Sequence, residues 1–261
     1  MKLKALLSIM LLAGMAVIYS ACKKSDATAS GPALTAPQVA SQVALDITSD
    51  LFGGYGGLDF SGGLEAPTGF GVKQHTQGRL LHNLNNPFCG LVIDTTLNAT
   101  ATVGADSTIS VSGHIYFAFS CTNDNVTGFT TRDDLNISIS TPQFAIVSKI
   151  NENLTVVAID PTNDNSKLSM NGTLASSGTY NYKTAKKSGT KSFNYVLKQL
   201  ILDPDNDGDV ISGSASFITK GTGSNGSWSY VGTITFLGDH KATITINGKT
   251  YNVDLQTGAT S

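Results

Sequence analysis

The sequence predicts an all-β fold: an antiparallel meander forming a sandwich or a partly closed barrel, with one amphipathic helix on its N-terminal side. Three observations carry this. Charged residues are only 14% of the 261 residues, apolar and polar residues alternate in short runs from Gly90 onward, and Asn, Asp, Gly and Ser punctuate those runs. A period of two gives each strand one buried and one wet face, and closely spaced turn signals between such runs mark antiparallel sheets.

The elements follow in chain order. Met1 to Ala5 contains Lys2 and Lys4, and Leu6 to Ile18 is apolar except for Ser8 and Gly14. A spanning helix needs about 20 apolar residues. This run is shorter and ends at the small pair Ser20-Ala21, the build of a secretory signal over 1–21. Tyr19-Ser20-Ala21-Cys22 resembles the lipobox of bacterial lipoproteins, an aliphatic residue and two small residues before an invariant cysteine, with Tyr19 in place of the usual leucine. The resemblance implies that Cys22 becomes the first mature residue and carries a diacylglycerol thioether and an amide-linked acyl chain. Its role would be a membrane anchor, each buried methylene adding roughly 0.8 kcal/mol. A chance cysteine after an ordinary cleavage site is the alternative. Lys23 follows Cys22 where a sorting rule of some lipoproteins places the inner-membrane signal Asp, so the outer membrane is expected, with the leaflet open.

Loss of the leader removes Lys2 and Lys4 from the 17 basic residues, leaving 15 against 19 acidic ones and a net charge of −4. Such a balance attracts no nucleic acid, and the remaining 240 residues suffice for one substantial core. Residues 22–34 are small and polar and read as a lipidated, flexible tether. Next comes segment 35–89. Thr35 can cap a helix, Pro37 fits its first turn, and Val39, Val43, Ile47 and Leu51 recur every four residues before Gly53-Gly54. This predicts an amphipathic helix from Ala36 to Phe52 that packs on the sheet. Gly53 to Gly71 holds eight glycines but has neither a preceding strand nor a following helix, so it reads as an irregular loop and not as a phosphate cradle.

The β domain spans 90–261. Leu91, Ile93, Leu97, Ala99, Ala101 and Val103 alternate with polar residues, as do Ile109, Val111, Ile115, Phe117 and Phe119. Opposed residues in an antiparallel pair share a face, so paired numbers must sum to an even value. A tight turn over Gly104-Ala105-Asp106 makes that sum 210. Leu91 then faces Phe119, Ile93 faces Phe117, and Cys89 faces Cys121. These are the two cysteines left after lipidation, and export brings them to an oxidising compartment, so a cross-strand disulfide is expected. Further strands read as Leu135–Ile139, Leu168–Leu174, Phe193–Leu197, Ile211–Phe217, Trp228–Phe236, Ala242–Ile246 and Tyr251–Leu255. Glycine stands two places after an apolar residue at Val111/Gly113, Met170/Gly172, Ile211/Gly213 and Tyr230/Gly232, and such glycines mark bends.

In an up-and-down meander every second turn shares an end. One end collects Thr122–Asn125, Thr162–Asn165, Asp203–Asp209 and Asp239; the other collects Lys186, Lys187 and Gly/Ser turns. Asp203, Asp205, Asp207 and Asp209 in DPDNDGD, with Gly208 at the sharp turn, resemble the front half of an EF-hand calcium loop. Ser214 occupies the place of its bidentate Glu, and a solvated turn explains the composition equally well. No other cofactor is expected. Neither a Gly-x-Ser-x-Gly elbow nor a His-Glu-x-x-His helix occurs. His75 and His82 match no common zinc spacing, while His114 and His240 read as surface residues. A membrane barrel also alternates, but the chain has one Trp and ends in TGATS without a terminal aromatic strand. The expected function is a non-catalytic envelope module that binds glycan or protein through exposed aromatics such as Tyr116, Tyr180 and Tyr182. A periplasmic carrier holding an apolar ligand in a curved sheet is the alternative, and an enzyme ranks third.

Overall fold

A computed structural model describes residues 34–52, 88–103, 106–163, 165–224 and 226–261. The leader, Cys22 with its tether, the Gly-rich loop, His75 and His82 lie outside the described residues. Among the described residues one helix, α1 (Ala36–Phe52), precedes ten strands: β1 (Val92–Val103), β2 (Ser107–Thr122), β3 (Asn125–Ser140), β4 (Phe144–Ala158), β5 (Leu168–Tyr182), β6 (Lys187–Asp203), β7 (Asp209–Gly223), β8 (Gly226–Gly238), β9 (Lys241–Ile246) and β10 (Lys249–Asp254). They form one antiparallel sheet in sequential order. β1 and β10 are not paired with each other, so the sheet stays open. The predicted meander and the predicted helix limits are both present.

The predicted hairpin register holds as well. Ile93 faces Phe117, the Phe119 amide donates to the Leu91 carbonyl at 3.3 Å, and Cys89 is bridged to Cys121 with their Cα atoms 5.7 Å apart.

One face of the sheet carries the core. Phe117, Phe129, Val156, Met170, Phe193, Tyr195, Phe217, Ile234 and Ile244 are buried on it, and α1 lies against it with Val39, Val43, Ile47 and Leu51 buried in the same cluster. Phe117 stacks on Phe129 with centroids 4.9 Å apart and meets Phe119 edge-on at 5.0 Å. α1 is also pinned by polar contacts. Lys191 Nζ lies 2.7 Å from Asp46 Oδ1, the Tyr230 hydroxyl donates to the Leu34 carbonyl at 2.7 Å, and the Thr48 hydroxyl lies 3.0 Å from the Leu255 carbonyl.

Three of the four glycines of the repeat mark irregular backbone, while a Cβ on the fourth, Gly232, would strike the Thr245 carbonyl oxygen. Gly113, Gly172 and Gly213 have φ of +144°, +149° and +114°, a region that side chains avoid. A Cβ on Gly172 would strike the Asn153 carbonyl oxygen. The β5–β6 register shifts at this glycine, and β6–β7 shifts between Lys198 and Ile201. There Gln199 takes φ +49°, and its amide donates to Asn171 Oδ1 at 2.8 Å.

Two strand assignments change in the structure. A second β6–β7 register shift, where Ile201 faces Ser212 but Leu202 faces Val210, inserts an extra residue into β7, so Val210, not Ile211, is the buried apolar residue at its start, at 1% exposure. β4, over 144–158, is not among the strands that alternation predicts. Its inward row contains Ser148 and Glu152, while Val147 and Val157 point outward at 52% and 41% exposure. Apolar residues on both faces erase the alternation that identifies a strand.

Candidate functional site

The inward row of β3 and β4 holds an unexpected pair of carboxylates. Asp133 faces Glu152 across the ladder, and both are buried, at 5% and 6% exposure. Burial pushes the Asp133 carboxyl from an ordinary 3.8 up to about 6. Hydrogen bonds from the Thr131 hydroxyl and the Tyr116 backbone amide, together with nearby His114, pull the other way. Asp133 Oδ1 has no hydrogen-bond partner, the costly state for a buried acceptor. Between pH 3.8 and about 6 the folded chain therefore binds this proton more tightly than the unfolded chain, so stability falls as pH rises through that window. Asp133→Asn is expected to stabilise the domain by up to about 3 kcal/mol above pH 6 and to leave it unchanged below pH 4. Chemical denaturation across this range checks it; a gain independent of pH would contradict the assignment.

The outward face is where the molecule meets its surroundings. Two rows of side chains run across the strands there. Asn136, Lys149, Ser177, Ser192, Lys220 and Ser229 face one another in turn from β3 to β8. Beside them run Ser138, Val147, Thr179, Thr190, Thr222 and Ser227. All of these except Ser138, Ser227 and Ser229 line an open groove of about 520 Å³, and the line between the rows, Ser148, Gly178, Lys191, Gly221 and Trp228, includes two glycines without side chains. The Thr190 and Thr222 hydroxyls lie 2.9 Å apart. Successive side chains in a row stand one strand spacing apart, about 4.8 Å.

A second depression of about 250 Å³ adjoins the first, lined by His114, Arg132, Asp134, Asn151, Asn153 and Thr173 among others. Lys149 Nζ lies 3.5 Å from Asp134 Oδ1 and links the two. Here Tyr116 lies beneath the Arg132 guanidinium at 5.6 Å, and His114 Nε2 is 2.6 Å from Asp94 Oδ1. The outward face thus offers hydroxyls, amides, ammonium groups and one aromatic–guanidinium stack, a surface suited to hydrogen-bonding a polyhydroxylated chain.

The sequence-predicted residues are only partly brought together. Tyr116 is on this face. Tyr180 and Tyr182 sit 5.6 Å apart on the opposite, inward face, where Tyr180 faces Ile146 and Gly189. The three tyrosines are therefore not one platform. Period two fixes which residues share a face within a strand, and Tyr180 and Tyr182 share theirs with buried Leu174 and Met170.

At the acidic end, each aspartate of the DPDNDGD turn that the structure ties down has a protein partner. Asp203 caps a 3-10 turn (Pro204–Asn206) by accepting from the Asp205 amide and lies 3.2 Å from Lys167 Nζ. Asp207 takes the left-handed conformation, φ +50°. Asp209, 4% exposed, lies 3.3 Å from His240 Nδ1. Among the described residues no three His, Cys, Asp or Glu side chains converge as a metal-holding group. In the neighbouring turn the Thr162 hydroxyl and amide hold the Asp160 carboxyl below the usual range.

No family model, curated protein or solved structure matches this chain. Among the described residues no helix is long and apolar enough to cross a membrane.

Proposed function

We propose that the chain is a non-catalytic binding module of the cell envelope, anchored through acylated Cys22, that takes a glycan along the groove on the outward face of β3–β8. The observation that carries this reading is the pair of parallel rows, in which hydroxyl, amide and ammonium groups repeat across the strands along the groove. A polysaccharide laid across the strands meets a donor or acceptor at every step except Val147, and several modest hydrogen bonds add up along its length. On the inward face α1 occupies part of the space: Val43, Ala44 and Ile47 have no exposed surface and belong to the packed core cluster. An apolar-ligand carrier would need that space. The anchor and the outer-membrane address rest on the Tyr19–Cys22 motif.

Binding is tested by affinity electrophoresis of the protein through gels containing neutral or acidic polysaccharides. Thr190→Val combined with Lys220→Ala is expected to weaken retardation by at least tenfold with an unchanged melting temperature, since Thr190 and Lys220 are exposed. Equal retardation of the variant and the parent would remove the groove as the site, and retardation by no polysaccharide would remove the glycan reading.

A further inference from the structure

We propose that the lysine-bearing end of the sheet faces the membrane and docks on its anionic lipid headgroups, with the aspartate-rich end directed away. This orientation rests on the anchoring of Cys22 proposed above, and it follows from where the charges and the incoming chain lie.

The sequential order of ten antiparallel strands places alternate connections at opposite ends. At one end the β5–β6 connection exposes Lys183, Lys186 and Lys187, and the Lys183 ammonium donates to the Thr141 carbonyl of the neighbouring β3–β4 turn at 2.6 Å. Residues 141–143 of that turn carry no charge. Asp106 is the one carboxylate among the described connecting residues of this end. The opposite end carries Asp124, Asp160, Asp203, Asp205, Asp207 and Asp239, against Lys167, His240 and Lys241. The domain is therefore electrically polar along its strands.

The position of Leu34 adds a second, independent constraint. Its carbonyl accepts from the Tyr230 hydroxyl. Tyr230 is four residues from Gly226, at the lysine end of β8, and eight from Gly238, at the aspartate end. At about 3.3 Å per residue these are distances of about 13 and 26 Å. The chain leading back to Cys22 thus meets the domain nearer the lysine end. Leu34 lies twelve positions after Cys22, a lead of at most about 40 Å, so the domain stays close to the surface in which Cys22 is held. Within that reach charge selects the pose: an anionic leaflet attracts nearby lysines and repels the aspartates, over a range of about 8–10 Å at ordinary salt.

The test uses the full lipidated protein in phosphatidylcholine vesicles with and without phosphatidylglycerol. Lysines are acylated briefly and the labelling is read by mass spectrometry. Lys183, Lys186 and Lys187 are expected to lose severalfold in labelling when phosphatidylglycerol is present and to recover it in high salt, while Lys167 and Lys241 stay unchanged. Uniform labelling of both ends, or protection of Lys167 and Lys241 instead, overturns the orientation but leaves the anchor standing. A protein that fails to associate with either vesicle overturns the anchor, and this inference with it.

Discussion

Serine in place of Cys121, or reduction of the bridge, is expected to lower the stability of the domain by about 2–4 kcal/mol. The bridge closes a segment with a sequence separation of 32, so the unfolded chain gains the conformational freedom that the link removes. Location raises its importance. Among the described residues β1 is an edge strand paired with β2 alone, and the chain entering it is fixed at its base by the disulfide and by Phe88, whose ring lies 5.3 Å from that of Phe119. Without the link, β1 is expected to open before the rest of the sheet. Urea denaturation with and without reductant reads the global loss, and hydrogen exchange at the β1 amides reads the local one. An unchanged midpoint together with unchanged β1 exchange would show that the bridge contributes nothing to stability.

The second large effect is expected in the helix. Ile47→Ala should cost about 2–5 kcal/mol, the transfer free energy of the lost methyl groups plus the cavity they leave. Ile47 has no exposed surface and lies in the same packed cluster as Phe193, Phe217 and Ile244. The tie of Lys191 to Asp46 and the contact of Thr48 with Leu255 hold α1 in place, which limits how far it can shift to fill the void. Val231→Ala, at a site 61% exposed on the outward face, is the matched control and should stay within about 0.5 kcal/mol of the parent. Denaturation midpoints compare the two. Similar losses for both would mean that α1 does not support the curl of the sheet.

Much of the scaffold is legible in the residues alone. The four-residue spacing of Val39, Val43, Ile47 and Leu51 yields the helix with its ends at Ala36 and Phe52. The shared odd parity of Leu91–Val103 and Ile109–Phe119 yields a register that brings Cys89 to Cys121. Alternation also places Asp124, Asp203 and Asp239 at one end and Lys186 and Lys187 at the other. β4 escapes this reading because Glu152 occupies an inward position and Val147 an outward one, reversing the usual pattern at both. The buried Asp133 is hidden for the same reason: a carboxylate between the charged residues Arg132 and Asp134 carries no sign of being inside.

The candidate site shows the same division. Ser177, Thr190, Ser192 and Thr222 are unremarkable polar residues in three separate strands, and only the pairing of β4 to β8 lines them into two rows. Tyr180 and Tyr182 look like exposed aromatics when their strand is read alone, but they lie on the face that curls inward. Period two, helical spacing and the parity of the first hairpin are properties of neighbours in the chain, so the sequence determined the helix, the first register, the disulfide and the two charged ends. Which face closes around α1, which charges are buried and which hydroxyls stand side by side depend on contacts between residues far apart in the chain. Only the tertiary structure decided these, because burial is a property of the assembled sheet and not of any one strand.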